Sequence, residues 1–277
     1  MDIEQLRTLL EVNRTRHFRK AAEALSITQS AVSARIRKLE EELDVSLFDR
    51  RTRNVQLTAQ GHRMLRHAEA IVAIWRRARQ DVALPEEVGV QLAVGGLFSL
   101  WDILLQQWIS NLRQHMPALA LLAESHDHDF LIRRLLDGAL DLIFVYEPPQ
   151  LEELMITEVA AVPLIMVSTT AARTAAEALA NHYIMVDWGD SYGLQHARLF
   201  PDAPVPRQRM NQARLALQQI LTCGGAAYLA EQTVTEHLAH GALHRVIDAP
   251  EIKRYAYAIS HRHSEYAELI NQVLHYF

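Results

Sequence analysis

The chain has 277 residues, 49% hydrophobic and 22% charged, which places it in the globular range and above the size of one small module. Ten glycines and nine prolines are too few for a collagen-like or low-complexity chain, and the longest apolar runs, such as Ala118 to Ala123, fall far short of the roughly 20 residues of a membrane span. The net charge of -5 is uneven: residues 1–82 hold 16 Lys+Arg against 11 Asp+Glu, a balance of +5, and residues 83–277 hold 12 against 22, a balance of -10, so the basic end suits a polyanion and the acidic remainder does not.

The opening MDIEQ carries acids where an export signal carries bases, and the single cysteine, Cys223, excludes an internal disulfide. A cytoplasmic protein without a membrane partner is expected.

Asp2 can cap a first helix with apolar positions Ile3, Leu6, Leu9, Leu10 and Val12 at helical spacing, followed by NRTRH as a polar turn. A second short helix carries Phe18, Ala21, Ala22 and Leu25, and Thr28 is a good N-cap for a third running to about Leu43. At about 100° per residue, Val32, Ile36, Leu39 and Leu43 of that helix form one stripe. Ser30, Ala34, Arg37 and Lys38 point away, with Gln29 and Ser33 on one flank and Arg35 on the other. Such a face suits a major groove, where Gln can bond adenine, Arg guanine, and Ser or Thr a base or a phosphate. An ordinary three-helix bundle with a solvated basic face also fits this stretch. The next segment, DRRTRNVQLTAQG, places Arg50, Arg51 and Arg53 before the alternating Val55 and Leu57, the pattern of a two-stranded wing with a basic tip beside the phosphate backbone or minor groove.

Thr58 then caps a helix reaching to about Ala83, roughly 39 Å long at 1.5 Å per residue. Met64, Ala68, Ile71, Trp75, Ala78 and Val82 alternate spacings of four and three along it, a seam of about three heptads. A coiled coil with a second copy is expected, giving a dimer or a higher oligomer; the alternative is a helix packed on its own second domain.

After the polar break Leu84-Pro85-Glu86-Glu87, strands and helices alternate. VGVQLAVGG is a strand, Ser99 can start a helix carrying Leu104, Leu105, Trp108, Ile109 and Leu112, and ALALLAES is a second strand. Asp127 or Asp129 opens another helix, and LDLIFVYEPP is a third strand. A similar unit begins near Val162, with strands at about 162–168, 182–187 and 205–210. The chain returns to the first unit near Tyr255 and ends in a helix bearing Leu269, Ile270, Val273 and Leu274. The alternation implies parallel strands covered by helices.

The string FRKAAEALSITQSAVSARIRKLEEELDVSLFDR, followed by LTAQG and the long helix, resembles the N-terminal signature of LysR-type transcriptional regulators. Phe18, Ala21, Ala22, Leu25, Gln29, Ser33, Leu39, Glu40, Leu47, Phe48, Arg50, Leu57, Thr58 and Gly61 stand at family spacings. The resemblance implies an α+β multidomain chain in three parts. These are a winged helix-turn-helix head at 1–58, a linker and dimerisation helix at 59–87, and a two-lobed α/β effector domain like periplasmic binding proteins at 88–277. Lobe I spans about 88–161 and 256–277, and lobe II about 162–255.

By the same resemblance Thr28, Gln29, Ser30, Ser33 and Arg53 take DNA-contacting positions, joined by Arg35, Arg37 and Arg51 as candidate contacts. Two departures stand out: Ala34 occupies a place where many members have Arg, and Asp44 one where glycine commonly ends the helix. In the effector domain, ligands of open α/β sheets sit beyond the carboxyl ends of strands. That rule marks Ser99 and Leu100 after the first strand, Ser125 and His126 after the second, Tyr146 after the third, and Asn211 in the other lobe. Family members often bind small anionic metabolites there, yet no arginine of this sequence stands out as their counter-charge. Cys223-Gly224-Gly225 rearranges a glycine pattern of the family, and Cys223 reads as packed more readily than as a redox sensor.

Double-stranded DNA, a second copy of the chain, a small-molecule effector and RNA polymerase are the partners so implied. No cofactor, metal or catalytic residue is expected. The histidine groups His126/His128, His237/His240/His244 and His261/His263 lack a recognised ligand spacing, with Gly241 interrupting the middle one. No GxSxG, HExxH, phosphate-loop or CxxC motif occurs, and Asp187 with Asp190 are ordinary residues near a helix start. Three alternatives stay open: a ligand-independent repressor of the same family, an α/β enzyme localised by a basic head, and a protein-binding module that never touches DNA.

Overall fold

A computed structural model describes residues 1–49, 55–83 and 89–277. The wing-tip arginines Arg50, Arg51 and Arg53 and the break from Leu84 to Glu87 lie outside the described residues. The chain divides into two compact units, one of them containing Met1–Glu86 and the other Glu87–Leu136 with Leu140–Phe277.

In the first unit, α1 (Ile3–Thr15) starts in a capping box: the Asp2 side chain accepts from the Glu4 N–H at 3.1 Å and the Gln5 side chain from the Asp2 N–H at 2.7 Å. The helix continues through Thr15, so the expected NRTRH turn shrinks to Arg16, at φ 54°, and His17. His17 caps α2 (Phe18–Leu25), its Nδ1 accepting from Arg19 N–H at 3.2 Å. Thr28 caps α3 (Gln29–Leu43), its hydroxyl accepting from Ala31 N–H at 3.2 Å, and Asp44 ends that helix at φ 53°. Strands β1 (Phe48–Asp49) and β2 (Gln56–Leu57) pair antiparallel, with Phe48 opposite Leu57. Thr58 leads into α4 (Ala59–Val82), its hydroxyl donating to Ser46 O at 2.7 Å and accepting from Gly61 N–H at 2.9 Å.

Leu6, Leu9 and Val12 of α1, Ala21 and Ala22 of α2, and Val32, Ile36 and Leu39 of α3 form the core with Leu47, Phe48 and Leu57. Each fully buried Leu or Ile contributes about 1.5–3 kcal/mol. Leu43, expected in this stripe, is exposed. The Glu40 carboxylate accepts from the N–H groups of Leu47 and Phe48 at 2.7 and 3.2 Å; this folds the following segment back so that Leu47 and Phe48 take the remaining core positions.

Ala68 and Val72 of α4 belong to this same core, with Met64, Leu65 and Ile71 packed against it. The expected dimer seam is therefore corrected at Ala68, which is fully buried within its own head. Ile74, Trp75, Ala78 and Val82 remain exposed. At about 100° per residue, the exposed set centres some 90° round the helix from Leu65, Ala68 and Val72. The helix thus carries two apolar stripes, one already used.

The second unit opens with β3 (Val90–Gly96), α5 (Phe98–Leu100), a π-helical turn over Trp101–Leu105, and α6 (Gln106–His115). Leu97, rather than Ser99, is the N-cap, and no side chain bonds the helix start. Then come β4 (Leu119–Ser125), α7 (His128–Leu136), β5 (Leu142–Val145) and the long β6 (Leu154–Ser168). Next are α8 (Ala175–Ala180), β7 (Tyr183–Val186), α9 (Asp190–Leu199), β8 (Gln208–Met210) and α10 (Ala213–Cys223). The unit closes with β9 (Ala226–Ala230), α11 (Glu231–Ala239), β10 (His244–Arg245), β11 (Ile252–His261) and α12 (Ala267–Leu274).

These strands form one path, β4-β3-β5-β11-β6-β9-β7-β8, with β10 added to β6. The outer pairs β3 with β4 and β5, and β7 with β8 and β9, are parallel. The purely parallel expectation fails at the centre, where β6 and β11 run antiparallel to each other, to β9 and to β5 respectively. Their register shifts between Ala256, opposite Ala160, and Tyr257, opposite Glu158, leaving Val159 as an extra residue. On one side of this bulge β11 joins β5 (lobe I); on the other, β6 joins β9 (lobe II).

α12 is fixed to lobe I by Trp108, whose indole N–H donates to Val273 O at 2.8 Å while its ring stacks on Phe277 at 5.3 Å. In lobe II the Trp188 N–H donates to Tyr228 O at 3.0 Å. Cys223, read as packed, is exposed at the end of α10.

Candidate functional site

In the first unit, the start of α3 is open to solvent. Thr28, Gln29 and Ser30 are exposed, Ser33 is half-buried, and Ala34, Arg37 and Lys38 are exposed on the same helix. The Thr28 and Ser30 hydroxyls lie 2.9 Å apart, so the cap side chain also orients its neighbour. Two amphoteric hydroxyls and one amide at a helix N-terminus can meet base edges and phosphates alike. Arg35 departs from its expected role: its guanidinium turns to α1, 3.3 Å from the Glu4 carboxylate and 3.4 Å from the Thr8 hydroxyl. Held there, it positions α3 against α1 instead of standing on the open face. Arg16 and His62, not singled out from the sequence, line a recess beside Val55, Gln56 and Leu57 at the base of the wing. The left-handed Arg16 is the only signal that could have marked the first of them, and a helix C-cap is hard to read without glycine.

In the second unit, a cleft of about 410 Å³ lies between the lobes. Four of the expected residues line it: Ser99, His126 and Tyr146 from lobe I and Asn211 from lobe II. Two do not. Leu100 is fully buried in the core, and Ser125 turns its hydroxyl toward Gly96 O at 3.4 Å; alternation along β4 carries it off the cleft wall. A larger open groove, about 1320 Å³, runs over lobe II alone past Leu194 and Leu215. The smaller cleft is the better effector candidate, because only a site touching both lobes changes when they move.

No residue pattern marked what lies at the back of the cleft. Arg254, on β11, is almost fully buried beside Tyr146, its guanidinium carbon 5.3 Å from the ring centre. It pairs with Glu147 of lobe I at 3.0 Å and donates to the Ser191 hydroxyl of lobe II. Glu147 also accepts from Ser191 N–H at 2.8 Å, at the start of α9. Burial alone would raise the pKa of Glu147, but the Ser191 donors and Arg254 outweigh it and hold the carboxyl below its usual range. Gly189 allows this approach: at φ 95°, a Cβ there would lie 2.9 Å from the Glu147 oxygen.

His128, at the start of α7, bonds the Glu147 carbonyl at 2.7 Å and Asp129 at 3.0 Å. Burial lowers its pKa, yet those acceptors prevail and raise it. His126 is held by Glu124 at 3.1 Å, and Glu124 in turn by Arg134 at 2.9 Å. Burial pushes the Tyr146 hydroxyl well above its usual pKa. Among the described residues no three His, Cys, Asp or Glu side chains converge on a metal position; α11 ends at Ala239, so His244 leaves the helix that carries His237. Among them, too, no helix is long and apolar enough to cross a membrane.

A helix-turn-helix head followed by a two-lobed α/β unit with a central pair of crossing strands defines a class of ligand-modulated regulators. The family model for bacterial regulatory helix-turn-helix proteins of the lysR family matches residues 3–62, and that for the LysR substrate binding domain matches residues 86–277. The chain belongs to the LysR family of transcriptional regulators.

Among its relatives is the HTH-type transcriptional regulator HdfR of Escherichia coli, 35% identical, the match covering 99% of this chain and 97% of HdfR. Among solved structures, the LysR family transcriptional regulator CbnR superposes with a TM-score of 0.78 at 18% identity, covering 100% of this chain and 99% of the other. Vibrio fischeri DarR, solved in complex with DNA, gives 0.60 at 20% identity over 99% and 98% of the two chains. At these identities the structures speak for the fold.

Proposed function

We propose that the chain binds duplex DNA as a homo-oligomer, reading bases through Thr28, Gln29, Ser30 and Ser33. In this scheme Arg37, Arg16 and the wing residues Arg51 and Arg53 hold phosphates. The observation that carries this is the uncovered start of α3, where polar and basic side chains stand on the face opposite a fully apolar stripe. The head at 1–58 reads, the linker at 59–87 joins two copies through Ile74, Trp75, Ala78 and Val82 of α4, and residues 88–277 sense an effector between the lobes. Two heads imply a palindrome-like operator with half-sites one helical turn or more apart.

A ligand in the cleft acts by preferring one lobe arrangement over another, shifting a pre-existing equilibrium between assembly shapes. The protein works as a regulator and not as an enzyme, in the cytoplasm, with RNA polymerase as a further partner. Genome-wide footprinting with the purified protein tests this. Discrete protected sites with two related half-sites are expected, and their loss in the Gln29→Ala, Ser33→Ala double variant; uniform protection along the genome would contradict it.

A further inference from the structure

We infer that the inter-lobe cleft is built for an organic cation, such as a polyamine or a guanidinium compound, rather than for an anion; this rests on the reading of the cleft as the effector site. Five carboxylates line or border the space: Asp127, Asp129 and Glu147 from lobe I, and Asp187 and Asp190 from lobe II. Neither Lys nor Arg lines it among the described residues, and its two histidines are already held by acceptors of the fold, His126 by Glu124 and His128 by Asp129 and the Glu147 carbonyl. The cationic group behind it, Arg254, is spent on Glu147. Arg209 lines the neighbouring groove and not the cleft.

Backbone groups that would draw an anion are taken at two of the helix starts on the cleft. At the start of α7 the Phe130 N–H donates to Asp127 at 2.9 Å, and at the start of α9 the Ser191 N–H donates to Glu147 at 2.8 Å. Two of the three helix N-termini facing the cleft, those of α7 and α9, therefore carry an internal carboxylate where a bound anion would sit, while the third, at Phe98, has no side-chain cap. An incoming anion would have to displace one of these carboxylates, or take the start of α5 and face Asp127, Asp129, Asp187 and Asp190 across the same space.

A second observation points into the same space. The Tyr146 side chain is 5% exposed and lines the cleft, and its hydroxyl, which has the Ser99 side chain beside it, makes no hydrogen bond of regular geometry. A phenol oxygen there can accept from an ammonium or guanidinium N–H. At the mouth Phe98 is 44% exposed and lines the cleft, offering a ring face to the same charge. Because the carboxylates are spread over both lobes and do not converge, they suit a cation with separated charges better than a metal ion. Such a molecule would bridge Asp127 and Asp129 to Asp187 and Asp190 and favour approach of the lobes.

The test is calorimetry and thermal unfolding of the full chain with agmatine, putrescine and spermidine, against succinate and glutarate, at matched ionic strength. At least one amine should bind and raise the unfolding temperature, and the Asp187→Asn, Asp190→Asn double variant should weaken it by about tenfold or more. Tyr146→Phe should weaken it less, without changing the preference for amines. Both substitutions conserve shape, and circular dichroism verifies folding; Asp129→Asn, on the exposed start of α7, gives an independent check on the other lobe. Stabilisation by succinate or glutarate but by no amine would overturn the charge class while leaving the effector cleft standing. No response to any of the five would overturn both, and amine binding unchanged in the Asn variants would place the amine elsewhere and overturn the proposal.

Discussion

Glu147 serves its own chain as a fixed anion: its carboxylate joins Arg254 and the Ser191 N–H, while its backbone carbonyl holds His128 at the start of α7. Replacing it by Gln leaves the nearly buried Arg254 without its counter-charge. Allowing for the half-exposed position of Glu147, a loss of about 1–3 kcal/mol is expected in urea unfolding of the second unit. With its folded pKa below the unfolded value, Glu147 contributes stability that is present above pH 4.5 and lost as pH falls through the folded pKa; the Gln variant should show a flatter acid limb. His196 acts in a higher window. It is buried with its Nε2 2.9 Å from the Tyr183 hydroxyl, and burial lowers its pKa. Between its unfolded value of about 6.5 and the lower folded value the unfolded chain holds the extra proton. Stability should therefore fall as pH drops below about 6.5, and thermal melts of His196→Phe should lose that dependence. Gly61 makes a purely steric prediction. A Cβ there would lie 2.1 Å from Leu47 O, so Gly61→Ala should destabilise the head by about 1–3 kcal/mol in equilibrium unfolding.

At the scale of elements, α4 carries two apolar stripes, and spacing alone could not say which one stays within the chain. Heptad positions found the helix and its length, but Ala68 and Val72 are drawn into the head by α1, whose own sequence lies some sixty residues earlier. The stripe around Ile74, Trp75, Ala78 and Val82 stays exposed and is the face proposed for a second copy. Trp75→Glu with Val82→Glu should turn a dimer into a monomer by light scattering and leave the unfolding of the head unchanged; a dimer that survives both charges would exclude this face. Helices α1, α3 and α4 were legible because Asp2, Thr28 and Thr58 each mark a helix start and the apolar positions recur at helical spacing. The crossing strands were not. The N-terminal half of β6, from Leu154 to Glu158, is mostly exposed and so lacks the buried run that marks its second half. Nor could the cleft be completed from sequence: Glu147, Ser191 and Arg254 meet across separations of 44 to 107 residues, and only the crossing of β11 beside β5 brings them together.

Across the whole molecule, charge sorts the two tasks. The basic first 82 residues, at +5, suit DNA, and the acidic remainder, at -10, suits a different kind of ligand and is repelled by phosphate. The most direct test of DNA reading by the α3 face is fluorescence anisotropy of the full chain on a footprinted operator as salt is raised. Log K should fall with log salt at a slope of about -4 or steeper, since each neutralised phosphate contributes about -0.9. Gln29→Ala with Ser33→Ala should weaken operator binding by about tenfold or more with that slope nearly unchanged, and Arg37→Ala should lower the slope by about one. Operator affinity that ignores salt and survives the Gln29 and Ser33 substitutions would contradict it.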